Sequence, residues 1–113
     1  MNKEIQAQWV AALRSGVYNQ TTGMLHNEKG YCCLGVLCDI HANETNTPWV
    51  PDAFSFVYDG DREVLPSIVR KWAGLKHKDP TVKVDGAHEA LSNMNDTQLK
   101  SFNELADVIE KGL

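Results

Sequence analysis

Between Tyr31 and Asp39 the chain runs Cys32-Cys33-Leu34-Gly35-Val36-Leu37-Cys38 without one polar side chain, and a stretch of this kind belongs inside a protein. Leu34, Leu37, Cys38 and His41 recur at i, i+3, i+4 and i+7, the spacing of a helical face, although so short an apolar run also suits a buried strand. The sequence predicts strand to about Cys33 and helix from there to Ala42-Asn43. The remaining segments must then supply the layers that cover this run.

Those layers are legible on both sides. From Lys3 to Ser15, Ile5, Trp9 and Leu13 form a helical stripe, and Gly16 follows where a left-handed cap is expected. Asn27-Glu28-Lys29-Gly30, between Met24-Leu25-His26 and Tyr31-Cys32-Cys33, predicts a short hairpin, because Asn and Gly tolerate positive φ. Asn43 to Asp52, with Pro48 and Pro51, reads as a loop. Phe54–Tyr58 and Glu63–Leu65 around Asp59-Gly60 predict a second hairpin. Pro66 opens a helix running through Ile68, Val69, Trp72 and Leu75. Lys76 to Gly86 reads as a loop with a short strand at Thr81–Val84. Asn95 and Gln98 resemble a capping box for a last helix carrying Leu99, Phe102, Ala106, Ile109 and Leu113 on one face. The expectation is an α+β fold: a single compact domain over residues 1–113, with about four helices and two short β-hairpins.

Charge narrows the function classes. Eleven Lys and Arg against fifteen Asp and Glu give a net charge of −4, the opposite of what a protein gripping duplex nucleic acid through its phosphates carries. No apolar run approaches 18 residues and Met1–Gln6 is polar, so neither a membrane span nor a leader is expected, and the chain is expected in the cytoplasm. Three cysteines within seven residues make a poor disulfide framework and fit a reducing compartment. The charge is also uneven. Six acids and one base lie between Asp39 and Glu63, whereas Arg70, Lys71, Lys76, Lys78 and Lys83 face only Asp79 in the following segment. Such runs are usually solvated faces, but they also suit capture of an anionic ligand by the basic segment or self-association between opposite poles.

Several chemistries can be set aside or kept open. Cys33, Cys38 and His41 lack the paired Cys-x2-Cys spacing of a zinc site, and a calcium loop starting at Asp59 would have Val64 where glycine is required and Arg70 in place of the terminal glutamate, so no metal or cofactor is expected. Cys32 or Cys33 at a helix start, with His26 across the hairpin as a base, would be the elements of a cysteine enzyme, but no nucleophile motif surrounds them. A looser group is Arg14, Tyr18 and Gln20 just past the first helix: a guanidinium for phosphate, a ring for stacking and an amide for a polar edge. Trp49 on its proline-flanked loop is a second stacking candidate, and Asn95 a second polar reader. The alternative is that Arg14 forms a salt bridge, Tyr18 covers the edge of the core, Gln20 is solvated and Trp49 packs inward.

Two blocks, Trp9-Val10-Ala11-Ala12-Leu13-Arg14-Ser15-Gly16-Val17-Tyr18-Asn19-Gln20 and Cys32-Cys33-Leu34-Gly35-Val36-Leu37-Cys38-Asp39, resemble a group of small proteins encoded by tailed phages and prophages. The likeness continues through Leu65-Pro66, Trp72–Leu75, Asn95-Asp96 and Ser101-Phe102. It implies a host-takeover or counter-defence setting and carries over no catalytic residue. Taken with the Arg14, Tyr18 and Gln20 group, the expected function is non-enzymatic sequestration of a small anionic, nucleotide-like immune signal in the host cytoplasm, by a homo-oligomer whose pocket closes at a subunit interface. An inhibitor that docks on a host defence protein through the acidic 39–63 segment is the second expectation, and a cysteine-dependent enzyme the third.

Overall fold

The first helix forms where its apolar stripe and its cap agree. In a computed structural model describing residues 1–113, α1 spans Lys3–Arg14, and the Asn2 side chain accepts the Ile5 N–H at 3.0 Å. Ile5, Trp9, Val10 and Leu13 are buried, and Gly16 adopts φ +76° just beyond the helix. The first hairpin pairs β1 (His26–Asn27) with β2 (Gly30–Tyr31), and Asn27 Oδ1 accepts the N–H groups of Lys29 and Gly30 across the turn.

The apolar run resolves as helix from Cys33, giving α2 (Cys33–Thr45). Its first six residues, Cys33 to Cys38, are all buried, so this end of the helix is enclosed on every side. A Cβ on Gly35 would overlap the carbonyl oxygen of Leu25, so the preceding segment lies directly on the helix backbone there. Trp9 donates its indole N–H to Cys33 O at 2.9 Å and ties α1 to the same turn.

The second hairpin pairs differently from the expectation. β3 (Val50–Pro51) lies antiparallel to β4 (Phe56–Val57), with Val50 opposite Val57. Around Asp59-Gly60 only a single bridge, Tyr58 to Asp61, remains. The residues expected to form the other strand are drawn elsewhere: Leu65 donates its N–H to Lys78 O at 2.9 Å, and Pro66 ends the segment. Pro66 is the N-cap of α3 (Ser67–Ala73), which stops two residues short of the expected Leu75 because Gly74 turns left-handed at φ +71°. Leu75 is still buried, on the far side of that cap.

Thr81–Val84 is the expected strand, β5, and it has a partner the sequence pattern did not disclose: β6 (Ala87–Ala90), joined through Asp85-Gly86 with both residues at positive φ. β6 runs straight into α4 (Leu91–Asp96), and the last helix, α5 (Phe102–Gly112), begins only after a break. Its capping box is Ser101 with Glu104, not Asn95 with Gln98. Asn95 is buried inside α4, Gln98 reaches Glu89, and Leu99, at φ +53° and 70% exposed, is off the apolar face. The chain is thus an α+β domain of five helices and three two-stranded antiparallel sheets, where about four helices and two hairpins were expected. No helix is long and apolar enough to cross a membrane.

Substituting Gly35 by Ala is expected to cost about 3 kcal/mol or more in urea unfolding, because backbone must move to admit the methyl group. Gly60→Ala, at positive φ but in open space, is expected to cost only about 1 kcal/mol. Equal costs at the two positions would show that the Leu25–Gly35 approach does not hold the fold.

Candidate functional site

The five residues singled out in the sequence make their hydrogen bonds and ion pairs in three different places. Asn95 is fully buried and uses its whole hydrogen-bonding capacity inside the protein. Its Oδ1 accepts the Cys33 N–H at 3.2 Å and Gln20 Nε2 at 2.9 Å, and its Nδ2 donates to Thr21 O at 3.0 Å and Asp96 Oδ1 at 2.7 Å. Gln20 also donates to Lys100 O at 2.8 Å. The pair therefore caps the buried start of α2 and joins it to α4 and to the strand-like segment at Thr21.

Tyr18 and Trp49 meet on one carboxylate, Asp39 of α2. The Tyr18 hydroxyl donates to Oδ2 at 2.6 Å and the Trp49 indole to Oδ1 at 3.0 Å. Around them lies an aromatic cluster: His26 stacks between Tyr31 and Phe56 at centroid distances of 3.8 and 4.3 Å, Tyr18 meets Tyr31 edge-on, and Trp49 leans on Tyr58. Burial, then the bond to Asp39, raises the Tyr18 pKa above the usual phenol value, so the hydroxyl stays protonated as a donor. The sequence offered His26 only as a base for a cysteine and Asp39 only as part of the acidic run, and it assigned no site role to Tyr31 or Phe56. The hairpin register alone, which sets His26 opposite Tyr31, carried a usable signal for two of them.

Arg14 sits at the end of α1 and pairs with two acids of α5, Asp107 at 2.6 Å and Glu110 at 3.3 Å. Arg14, Tyr18 and Gln20 do line one shallow hollow of about 290 Å³, together with Gly16, Phe102 and Asn103. Its cation is already matched by two carboxylates, and its ring and amide are bonded elsewhere.

Unmatched cations collect in a different place. The largest concavity, about 620 Å³, is lined by Ser67 and Arg70 of α3, by Lys76, His77 and Lys78 of the loop after it, and by Thr81 at the start of β5. Arg70, Lys76 and Lys78 have no carboxylate within 4.0 Å. Two acids line the same concavity, Asp61 and Asp79, the latter bound by the Ser92 N–H and hydroxyl. The groove was legible only as the basic run from Arg70 to Lys83.

All three cysteines are free thiols in the core. Burial raises the Cys32 pKa to about 11, against the pull of the Gly35 and Leu34 amides, and drives Cys33 and Cys38 well above the ordinary thiol value. The helix dipole is thus outweighed by desolvation, and thiolate is scarce at neutral pH. His41 is likewise buried, its Nδ1 2.6 Å from the Tyr58 hydroxyl, with burial lowering its pKa.

Asn95→Leu is expected to lower stability by about 2–4 kcal/mol, since it orphans the Cys33 amide and the Thr21 carbonyl. A loss within 0.5 kcal/mol by urea titration (on the order of a neutral surface change) would contradict its capping role. The raised thiol pKa implies stability that is complete below the ordinary thiol value of 9.0 and is lost as pH climbs through about 11. A thiol reagent such as DTNB at pH 8 is expected to label none of the three cysteines until urea unfolds the chain. Rapid labelling of the folded protein would refute the burial argument.

A family model described as Domain of unknown function (DUF8296) matches residues 1–113. No curated protein and no solved structure matches the chain. With the match running the whole length of the fold described above, the chain belongs to the DUF8296 family.

Proposed function

We propose that this protein binds and sequesters a small anionic, nucleotide-like ligand without altering it chemically, and that it does so as a phage-encoded counter-defence factor in the host cytoplasm. The setting is supported by the resemblance of the Trp9–Gln20 and Cys32–Asp39 blocks to small phage proteins. One observation carries the binding: three cations without ion-pair partners, Arg70, Lys76 and Lys78, line the largest concavity of an otherwise acidic protein. A volume of about 620 Å³ is of nucleotide size, and cations held in no ion pair are available to a ligand's phosphate. This assigns the anion to the groove and leaves Arg14, Tyr18, Gln20, Trp49 and Asn95 with the structural bonds described above. A homo-oligomer fits the same reading, with a second copy closing the open side of the groove.

Isothermal titration with ADP-ribose and with cyclic di-AMP tests the reading. Saturable binding of at least one of them is expected, weakened about tenfold by Lys76→Ala or Lys78→Ala, as expected of a lost charge-assisted contact. Arg14→Ala is expected to leave affinity within about twofold, since screened surface charges contribute little. Absence of heat with either compound at millimolar concentration would overturn it.

A second reading has its own observation. Phe54, between β3 and β4, is 89% exposed and lines a hollow of about 250 Å³ together with Glu28 and with Asp52, which pairs with Arg62. An exposed ring with an acidic rim is the form of an anchor for a basic protein surface, which suits an inhibitor docking through the 39–63 segment. If a host protein co-purifies in stoichiometric amount, Phe54→Ala is expected to weaken its binding about tenfold without changing nucleotide affinity. Equal binding by the variant would remove this reading.

A further inference from the structure

We infer, resting on the groove reading above, that the groove recognises its ligand by a compact group of two or more linked phosphoryls, and that the base contributes almost nothing. Three features converge on this. The first is the clustering of charge. Arg70 Nη1 makes two long contacts, to the carbonyls of Leu75 at 3.4 Å and Lys76 at 3.5 Å, which turn the guanidinium toward the loop and leave its other N–H groups without protein partners. Lys76 and Lys78 follow within the same short loop, and the hydroxyls of Ser67 and Thr81 add neutral donors. A planar fork beside two point cations suits adjacent phosphoryl oxygens better than a single diester charge.

The second feature is that the loop is held before any ligand arrives. Leu75 donates its N–H to Arg70 O at 2.9 Å, Leu65 donates to Lys78 O at 2.9 Å, and Leu91 donates to Pro80 O at 2.9 Å. Asp79 is kept off the lysines by its two bonds to Ser92. The cations are therefore carried on a pinned backbone, which lowers the ordering cost of binding.

The third is what the groove lacks. Its only ring is the exposed imidazole of His77, while Trp49, Tyr18, Tyr31 and Phe56 belong to the cluster around His26. Stacking, the usual means of holding a base, has no platform there. Asp61 and Asp79, which also line the groove, oppose a polyanion and set a charge limit on affinity.

Titration of the full chain with tripolyphosphate, ATP, GTP, ADP-ribose, AMP and cyclic di-AMP tests this directly. Tripolyphosphate, ATP and GTP are expected to agree within about threefold. ADP-ribose, with its pyrophosphate, should bind at least tenfold more tightly than AMP or cyclic di-AMP. Asp61→Asn is expected to tighten tripolyphosphate about two- to threefold, and Lys76→Ala/Lys78→Ala to weaken it at least thirtyfold, with circular dichroism confirming both folds. If ATP and GTP differ more than tenfold, or cyclic di-AMP matches ADP-ribose, phosphate recognition is overturned while nucleotide binding stands. If no compound binds, both fall.

Discussion

The buried start of α2 is the constraint around which the rest of the molecule is arranged. A helix leaves its first amides without internal partners, and here that end lies in the core, where water cannot serve them. Asn95 from α4 takes the Cys33 amide, and Trp9 from α1 takes the Cys33 carbonyl. Leu25 accepts the Cys32 N–H at 3.1 Å while its carbonyl lies against the bare Cα of Gly35. Three parts of the chain, far apart in sequence, are thus fixed to one turn. The same enclosure makes the cysteines core residues and pushes their pKa values upward, away from the thiolate that a helix start would otherwise favour.

This arrangement determines which polar groups are left for anything else. Gln20 and Asn95 belong to the capping of α2, Tyr18 and Trp49 are oriented by Asp39, and Arg14 bridges α1 to α5. Each satisfies a partner that the fold itself presents. The cations of α3 and its following loop have no such partner, because the nearest acid in sequence, Asp79, is bound to Ser92 at the start of α4. Three cations against two carboxylates leave this hollow net positive in an acidic protein, and salt would screen its attraction for anions over about 8–10 Å.

Much of the fold was readable because local signals and burial agreed. The Ile5, Trp9, Leu13 stripe, the Asn27–Gly30 turn and the helix from Cys33 each match the structure to within a few residues. The failures share a cause: long-range bonds redirected locally plausible residues. Asn95 had the type and spacing of a cap for the last helix, and it is a cap, but for α2, 62 residues away in sequence. Glu63–Leu65 had strand character, yet Leu65 bonds to Lys78 across α3. The Arg14, Tyr18 and Gln20 group meets the same competition, although the three do line one hollow. Arg14, Tyr18 and Gln20 were neighbours in sequence with the right chemistry, but acids on α5 and α2 and the amide of Asn95 reach them first. The basic run from Arg70 to Lys83 was visible, whereas its folding into a hollow depended on the Gly74 cap and the Leu65–Lys78 bond.

The proposed anion capture belongs to the hollow beside α3, separate from the residues that hold α2. Amide chemical-shift mapping of the isotope-labelled chain during titration with ADP-ribose tests this most directly. Perturbations are expected over residues 65–81, at Ser67, Arg70, Lys76, Lys78 and Thr81, with Tyr18, Gln20 and Asn95 unmoved. Shifts centred on Arg14 to Gln20 and Trp49 with residues 65–81 silent, or no shifts at all, would contradict it.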